Sequence, residues 1–171
     1  PNAGLCLLAI WLPRLLGILG LLTEDKKDLK DTEARVKAIF ILQRLVTDEP
    51  QEYNEQELAF NRILTGCPFQ VPLPKTLELT DNEIQTIESM IAGVKNNWDK
   101  LRNTSIKGFQ RSFIERPGRL EQQEGKWILY VEKRPYDILL DSLPWSYRLI
   151  RLPWLKKRIN VVWRDKEEFD F

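Results

Sequence analysis

The pattern of apolar and polar positions predicts helices through most of the first two thirds of the chain. From Thr32 to Val46, and again after Thr80, apolar residues recur at the three- and four-residue spacing of a helix with one buried face. Thr80 and Glu83 stand three positions apart in a capping-box sequence, which predicts where the second of these helices begins. Its apolar stripe continues to Leu101. These two helices are the clearest elements in the sequence.

Shorter helices are predicted between and after them. Asn54 and Glu57 form a second capping-box sequence, which opens a short helix that Gly66 closes. The following Cys67–Pro74 holds three prolines, so we expect an extended connector there. Thr104 or Ser105 is predicted to cap one more helix. The apolar face of that helix is Ile106, Phe109, Phe113 and Ile114.

After Pro117-Gly118 the pattern changes to the period of two that is typical of strands. Arg119–Gln123 and Lys126–Lys133 are predicted to form a β-hairpin around Glu124-Gly125. Tyr136–Leu143 is predicted as a short helix, and Ile159–Trp163 as another strand. The predicted class is therefore α+β. A mainly helical part (1–116) precedes a small antiparallel hairpin or sheet (117–171), and both pack as one compact unit.

The triplet Leu-Pro-Trp occurs twice, at Leu143–Trp145 and Leu152–Trp154. Proline cannot donate to a strand ladder, so each triplet marks an end of a strand predicted over Ser146–Leu152. One face of that strand would carry Tyr147, Leu149 and Arg151, and the other Arg148, Ile150 and Leu152. Two interpretations stay open. Both tryptophans anchor this domain's own core, or at least one lies in a subunit interface, where Trp and Arg are enriched.

The opening stretch Gly4–Leu22 is almost entirely apolar and long enough to raise the question of a membrane. Arg14 near its middle makes insertion marginal. Pro13 is predicted to start a second helix or to kink a single one. Three interpretations remain: a helix buried in protein and partly at a subunit interface, a membrane-facing segment, or a targeting peptide.

Composition narrows the function classes. The chain has 171 residues, 26 of them basic and 25 acidic, so it lacks the excess positive charge of a nucleic-acid-binding domain, and we expect no nucleic-acid partner. Lys156–Arg158 fits either a solvated turn or a contact to an anionic partner. Cys6 and Cys67 lie among apolar residues without metal-ligand spacing, so both are predicted as buried free thiols made in a reducing cytosol.

Catalytic chemistry has little support in the sequence. The chain contains no histidine, which removes the commonest general base and the Ser-His and Cys-His nucleophile pairs. Neither of the glycine-rich phosphate-binding motifs occurs, and two cysteines cannot form a thiolate metal cluster. A hydrolase built on carboxylates would need two acidic side chains to converge in a pocket. We therefore predict a non-catalytic protein with no catalytic, metal or cofactor-binding residues and no cofactor.

Short motifs occur in a fixed order along the chain. They are Asn2–Leu5, Leu12–Leu15, Asn61–Leu64 with Gly66, Val71–Pro74, Trp98–Leu101, Asn103–Ser105 with Phe109 and Phe113, Gly118–Leu120, Trp127, Val131-Glu132, Arg134, Tyr136-Asp137, Leu139–Asp141, Leu143–Trp145, Ile150–Trp154 and Val162-Trp163. In this order the chain resembles the C-terminal region of the tape measure proteins of extracellular contractile injection systems, the phage-tail-like particles made by bacteria. The resemblance covers essentially the whole chain and is most specific over Tyr136–Trp154.

The resemblance implies a structural protein without an enzymatic site. A tape measure protein lies in the lumen of the inner tube, is thought to set the tube's length, and is expected to contact the spike and baseplate hub. The expected partners are therefore three or six copies of the chain, the spike and hub proteins, and the inner tube proteins. Assembly is expected in the bacterial cytoplasm, inside a particle that can be released. A ruler needs a long helix, so we expect it upstream of Pro1, with this chain as the C-terminal fragment.

An apolar opening helix fits copies packed around a tube axis, and this sets the expected interface. The interface residues predicted for contacts between copies and with the hub are Leu5, Leu8, Leu12, Leu16, Leu19, Trp145, Arg151 and Trp154. A plug of the tube lumen and a membrane-associated anchor that uses Gly4–Leu22 are the alternative functions.

Overall fold

A computed structural model describes residues 1–49 and 51–164. The α-helices are α1 (Leu12–Ile18), α2 (Thr32–Val46), α3 (Ala59–Thr65), α4 (Asp81–Asn96) and α5 (Ile106–Phe109). Turns of 3₁₀-helix cover Ala3–Leu7, Ala9–Trp11, Asp99–Leu101 and Pro135–Ser142, and a π-helical turn covers Gln110–Ile114. The strands are β1 (Gly118–Gln123), β2 (Lys126–Val131), β3 (Leu149–Ile150) and β4 (Arg158–Val162). The predicted α+β class is confirmed.

The opening stretch is a series of short helical turns rather than one long helix. Two 3₁₀ turns precede α1, and Pro13 occupies the first turn of α1, so it starts a new helical segment as predicted. Gly4 explains why the first turn packs so closely. A Cβ atom at Gly4 would overlap the backbone of Phe113 and Ile114. In the described ranges, 1–49 and 51–164, no helix is long and apolar enough to span a membrane.

Both clear helices begin at a capped residue, and for α4 it is the capping box that the sequence predicts. The Asp31 carboxylate accepts a hydrogen bond from the backbone N–H of Ala34 at the start of α2. At α4, Thr80 Oγ1 accepts from the Glu83 N–H, and the Glu83 carboxylate accepts from the Thr80 N–H. Helix α4 ends at Asn96, so the apolar stripe that runs to Leu101 crosses a helix end and continues into a separate 3₁₀ turn.

The predicted helix after Asn54 begins later than expected. Asn54 and Glu57 do exchange the two capping hydrogen bonds, at 2.9 and 3.2 Å. The residues that follow form turns, however, and α3 begins only at Ala59. Gly66 ends α3 as predicted, with a left-handed φ of 69° that favours glycine.

The sheet has the order β1-β2-β4-β3. The predicted hairpin is confirmed: β1 and β2 pair antiparallel with Gln123 opposite Lys126, and Gly125 adopts a φ of 71° in the turn. The prediction of a purely antiparallel sheet was wrong, because β2 and β4 are parallel. Between them the chain runs through the 3₁₀ turn Pro135–Ser142 and β3, which is the kind of crossover a parallel pair requires.

The strand predicted over Ser146–Leu152 was also mostly wrong. Only Leu149–Ile150 pairs with β4, and the predicted alternation of faces fails. Tyr147 is buried while Leu149, expected on the same face, is 41% exposed. Ile150 and Leu152 are both buried, as residues sharing one face should be.

One hydrophobic core joins the helical part to the sheet. It contains the opening turns, α1, α2 and α4 together with Leu129, Val131 and Ile159 from the sheet. A smaller cluster of Ile39, Phe40, Leu58 and Cys67 lies under the proline-rich connector. Cys6 and Cys67 are buried free thiols as predicted, and burial raises the pKa of each. Residues 165–171 of the predicted β-rich part lie outside the described residues.

Candidate interaction site

Arg116 connects the helical part to the sheet from a fully buried position. Its side chain has no exposed surface, and its guanidinium forms a two-pronged ion pair with Asp137, at 2.5 and 2.9 Å. The remaining N–H groups donate to the backbone carbonyls of Ser112, at 2.8 and 3.1 Å, and Glu132, at 2.8 Å. All five donors of the guanidinium are therefore used, which is what a buried arginine requires.

Aromatic rings and further donors complete this junction. The guanidinium carbon of Arg116 lies 5.0 Å from the Trp163 ring centroid and 5.4 Å from that of Tyr136. Burial opposes ionisation of Asp137, but Arg116, the Arg134 backbone N–H and the Trp163 indole N–H donate to its carboxylate and hold its pKa below the usual value. The junction therefore connects the π-helical turn and the 3₁₀ turn Pro135–Ser142 with the residues that directly follow β2 and β4.

A cluster of buried amides fixes the first residues of the chain. Asn2 Nδ2 donates to Gln43 Oε1 at 2.6 Å and to Asn61 Oδ1 at 2.8 Å. Asn61 Nδ2 in turn donates to the Ile39 carbonyl at 3.0 Å. Ala3 N donates to the Arg116 carbonyl at 2.9 Å, so the same few residues also reach the start of β1. The N-terminal segment is an integral part of the fold.

Both tryptophans of the doubled triplet anchor the chain's own core. The Trp145 indole N–H donates to the Leu7 carbonyl at 2.9 Å, and its ring meets Trp11 edge-on, with 4.5 Å between centroids. The Trp154 indole N–H donates to the Leu64 carbonyl at 2.8 Å. Each triplet therefore attaches the C-terminal loop to a different helical segment. The alternative of a Trp in a subunit interface stays a prediction, since both rings are only half-buried.

The structure does not bring the eight predicted interface residues into one surface. Leu5, Leu8, Leu12 and Leu16 are at most 2% exposed and lie inside the core of the single chain. These four leucines do not face other copies as expected, because this chain's own helices and sheet cover them. Leu19 is half-buried and Arg151 is exposed. The outward side of the opening segment carries Ile10 and Ile18, which are 52% and 60% exposed.

Arg62 is a second buried arginine that sequence reasoning did not single out. It is 2% exposed, and its Nη1 donates to the carbonyls of Pro68 at 2.6 Å and Val71 at 2.8 Å. Proline supplies no N–H, so the connector has few backbone donors for its own carbonyls. The Pro68 carbonyl accepts from the Val71 N–H at 3.1 Å, and Arg62 adds a second donor there and a donor for the Val71 carbonyl. The three prolines after a helical Arg were the only signal for this arrangement.

A groove of about 620 Å³ runs between α2, the start of α4 and the segment before α4. Its floor includes Phe40 and Tyr53. Four acidic side chains line it, and a carboxylate hydrolase would need two of them to come close together in a pocket. They are Asp48, Glu49, Glu78 and Asp81. All four are exposed, whereas the acid of a glycosidase-type site is buried in an apolar pocket, so this arrangement does not favour catalysis.

Basic residues line a different hollow, of about 380 Å³, at the turn end of the hairpin. Lys126 and Arg158 stand at the first positions of the parallel strands β2 and β4, and Arg151, Lys156 and Lys157 are the other basic residues of the lining. Glu124, Gly125, Leu152 and Leu155 line it as well. Among the described residues, no group of three or more His, Cys, Asp and Glu side chains is arranged to hold a metal ion.

Comparison with known proteins gives one match. A family model described as contractile injection system tape measure protein matches residues 1–163. No curated protein and no solved structure matches the chain.

Proposed function

Since the chain belongs to the contractile injection system tape measure protein family, we propose that it is a non-catalytic structural domain in the lumen of the inner tube, near the spike and baseplate hub. There it contributes to starting the tube and setting its length. Spike, hub and tube proteins and further copies of the chain are its partners. The family match over residues 1–163 is the observation that carries this proposal.

The dimensions of the described helices support a contact domain rather than a ruler. The longest, α4, has 16 residues and is therefore about 24 Å long at 1.5 Å per residue. Its buried face, like that of α2, belongs to one core with the sheet. A ruler must extend along the tube axis, so this part of the protein is suited to marking one end of the tube.

Particle assembly tests the proposal. We expect particles made without residues 1–163 to lack tubes or to carry tubes of scattered length, as scored by electron microscopy. A surface substitution such as Lys100→Ala, which leaves the core untouched, is the matched control and should give uniform tubes of normal length. Normal, uniform tubes after the deletion would refute the role in initiation and length control and would favour a plug of the tube lumen.

The membrane-anchor alternative makes a separate prediction. An anchor that uses Gly4–Leu22 would have to turn its apolar side chains outward, but Leu5, Leu12 and Leu16 are in the core. We therefore expect the chain to stay in the aqueous fraction when floated with anionic liposomes. Co-flotation would support the anchor.

A further inference from the structure

Strand β1 is an open edge of the sheet. The order β1-β2-β4-β3 leaves one side of β1 without a neighbour, and no other part of the described chain forms backbone hydrogen bonds there. Its six residues pair with β2 in an unbroken register, so no bulge interrupts it, and none of the six is a proline. Bulges and prolines are two of the features that prevent edge strands from pairing with another chain, and β1 has neither.

The hydrogen-bond pattern shows which residues present free groups on this edge. Glu132 N donates to the Pro117 carbonyl at 2.9 Å, and these two residues stand opposite each other. Hydrogen-bonded pairs alternate with non-bonded pairs in an antiparallel ladder. The odd-numbered residues of β1 therefore direct their backbone hydrogen-bonding groups toward β2. The backbone N–H and C=O groups of Gly118, Leu120 and Gln122 point outward.

We propose that a second copy of the chain adds its own β1 to this edge, antiparallel and centred on Leu120. Residues whose backbone groups point outward on one copy must pair with residues of the same kind on the other. The two-fold axis therefore passes through a residue of β1 and not between two residues. A centre at Arg119 would set Arg119 against its own copy, and a centre at Glu121 would set two carboxylates together. Only the Leu120 centre places Arg119 opposite Glu121 of the second copy, twice by symmetry, so charge selects a single register.

The surroundings of β1 agree with this pairing. Arg119 and Glu121 share the solvent face and form an ion pair with each other along the strand, with side chains 67% and 39% exposed. At the Leu120 centre each also stands opposite its counter-charge on the second copy, so the two ion pairs join into one alternating set of four charges. Leu120 lies on the opposite face beside Leu129 and is half-buried, which leaves apolar surface for Leu120 of the second copy. The other edge strand, β3, has only two residues and offers a shorter partner. The contact would join two four-stranded sheets into one.

This inference deepens the proposed self-association and rests on it for the expectation that copies meet. An antiparallel pair has two-fold symmetry, so it fits an even number of copies, six rather than three. Gln122→Pro tests it in the whole 171-residue chain. The substitution removes an outward N–H and adds a ring on the open edge, and it leaves the ladder to β2 intact. We expect the dimer dissociation constant, measured by sedimentation velocity, to rise at least about tenfold. Gln122→Ala is the matched control and should dimerise like the unmodified chain.

A charge exchange separates this contact from any other dimer. Glu121→Arg alone would set Arg119 against a new arginine and weaken the dimer several-fold, while the double variant Arg119→Glu, Glu121→Arg restores opposite charges and should restore affinity. Hydrogen exchange of the Leu120 amide should slow as the dimer forms. A monomeric chain at millimolar concentration, or a dimer insensitive to Gln122→Pro and to the charge exchange, would overturn the inference. Neither outcome bears on the tube-length assay, so the two proposals fail separately.

Discussion

Replacing Arg116 with methionine should be among the most destabilising single changes in the protein. The substitution leaves the Asp137 carboxylate buried without its counter-charge, and it removes the donors that serve the Ser112 and Glu132 carbonyls. Breaking a buried, hydrogen-bonded ion pair by removing one partner costs about 3–5 kcal/mol. A domain of this size is stable by about 5–15 kcal/mol, so the variant would lose a large fraction of that margin.

Equilibrium urea unfolding followed by tryptophan fluorescence gives the free energy directly. Arg102→Met is the matched control, because Arg102 pairs with Asp99 at 2.9 Å but both side chains are more than 60% exposed, and surface pairs contribute about 0–1 kcal/mol. The double variant Arg116→Met, Asp137→Leu should recover part of the loss, since it leaves no unpaired charge. A loss at Arg116→Met no larger than at Arg102→Met would refute the argument that burial gives this pair its importance.

Three further predictions concern stability. Gly4→Ala should lower the free energy of unfolding by about 1–3 kcal/mol or more, because its Cβ would stand 1.9 Å from the Phe113 carbonyl oxygen. Gly93→Ala, inside α4, meets no atom within 4 Å and should raise that free energy by about 0.5–1 kcal/mol. Urea unfolding distinguishes the two variants. Thr80→Ala should cost about 1 kcal/mol in thermal unfolding through loss of the α4 cap. The folded protein lowers the pKa of Asp137 below the unfolded value of 3.8, so its contribution to the free energy of unfolding is present above that pH and is lost as the pH falls below it. Asp137→Asn should flatten that dependence.

Sequence was most informative where local chemistry decides the structure. Thr80 with Glu83, and Gly66 with its left-handed φ, act within one turn of the chain, so their effect can be recognised before the fold is known. The hairpin turn at Glu124-Gly125 is local in the same sense. These signals predicted the start of α4, the end of α3 and the pairing of β1 with β2.

The errors arose where the outcome depends on distant partners. An apolar stripe says that a surface is covered but not by what, so Leu5 and Leu12 were expected to face other copies and are instead enclosed by their own chain. The doubled triplet shows the same limit. Two indole N–H groups reach carbonyls 138 and 90 residues away, and these contacts rather than a ladder shape Ser146–Leu152.

The buried arginines were beyond prediction for a related reason. Arg116 and Asp137 are 21 residues apart and read individually as ordinary solvated charges. They come together where the residues after the π-helical turn meet the 3₁₀ turn, among the rings of Phe113, Tyr136 and Trp163.

The junction also bears on how well β1 could serve as a docking edge. Arg116 stands two residues before the strand and is fixed by five hydrogen bonds, while Gly118 packs so closely on Ala3 that a Cβ there would come within 2.6 Å. The start of the strand is therefore held against the helical part before any partner arrives. Binding to a pre-ordered edge avoids the entropic cost of ordering it, so a short pairing between two copies can be stable despite its few hydrogen bonds. Loosening the junction with Arg116→Met should then weaken dimerisation even though Arg116 itself never reaches the contact.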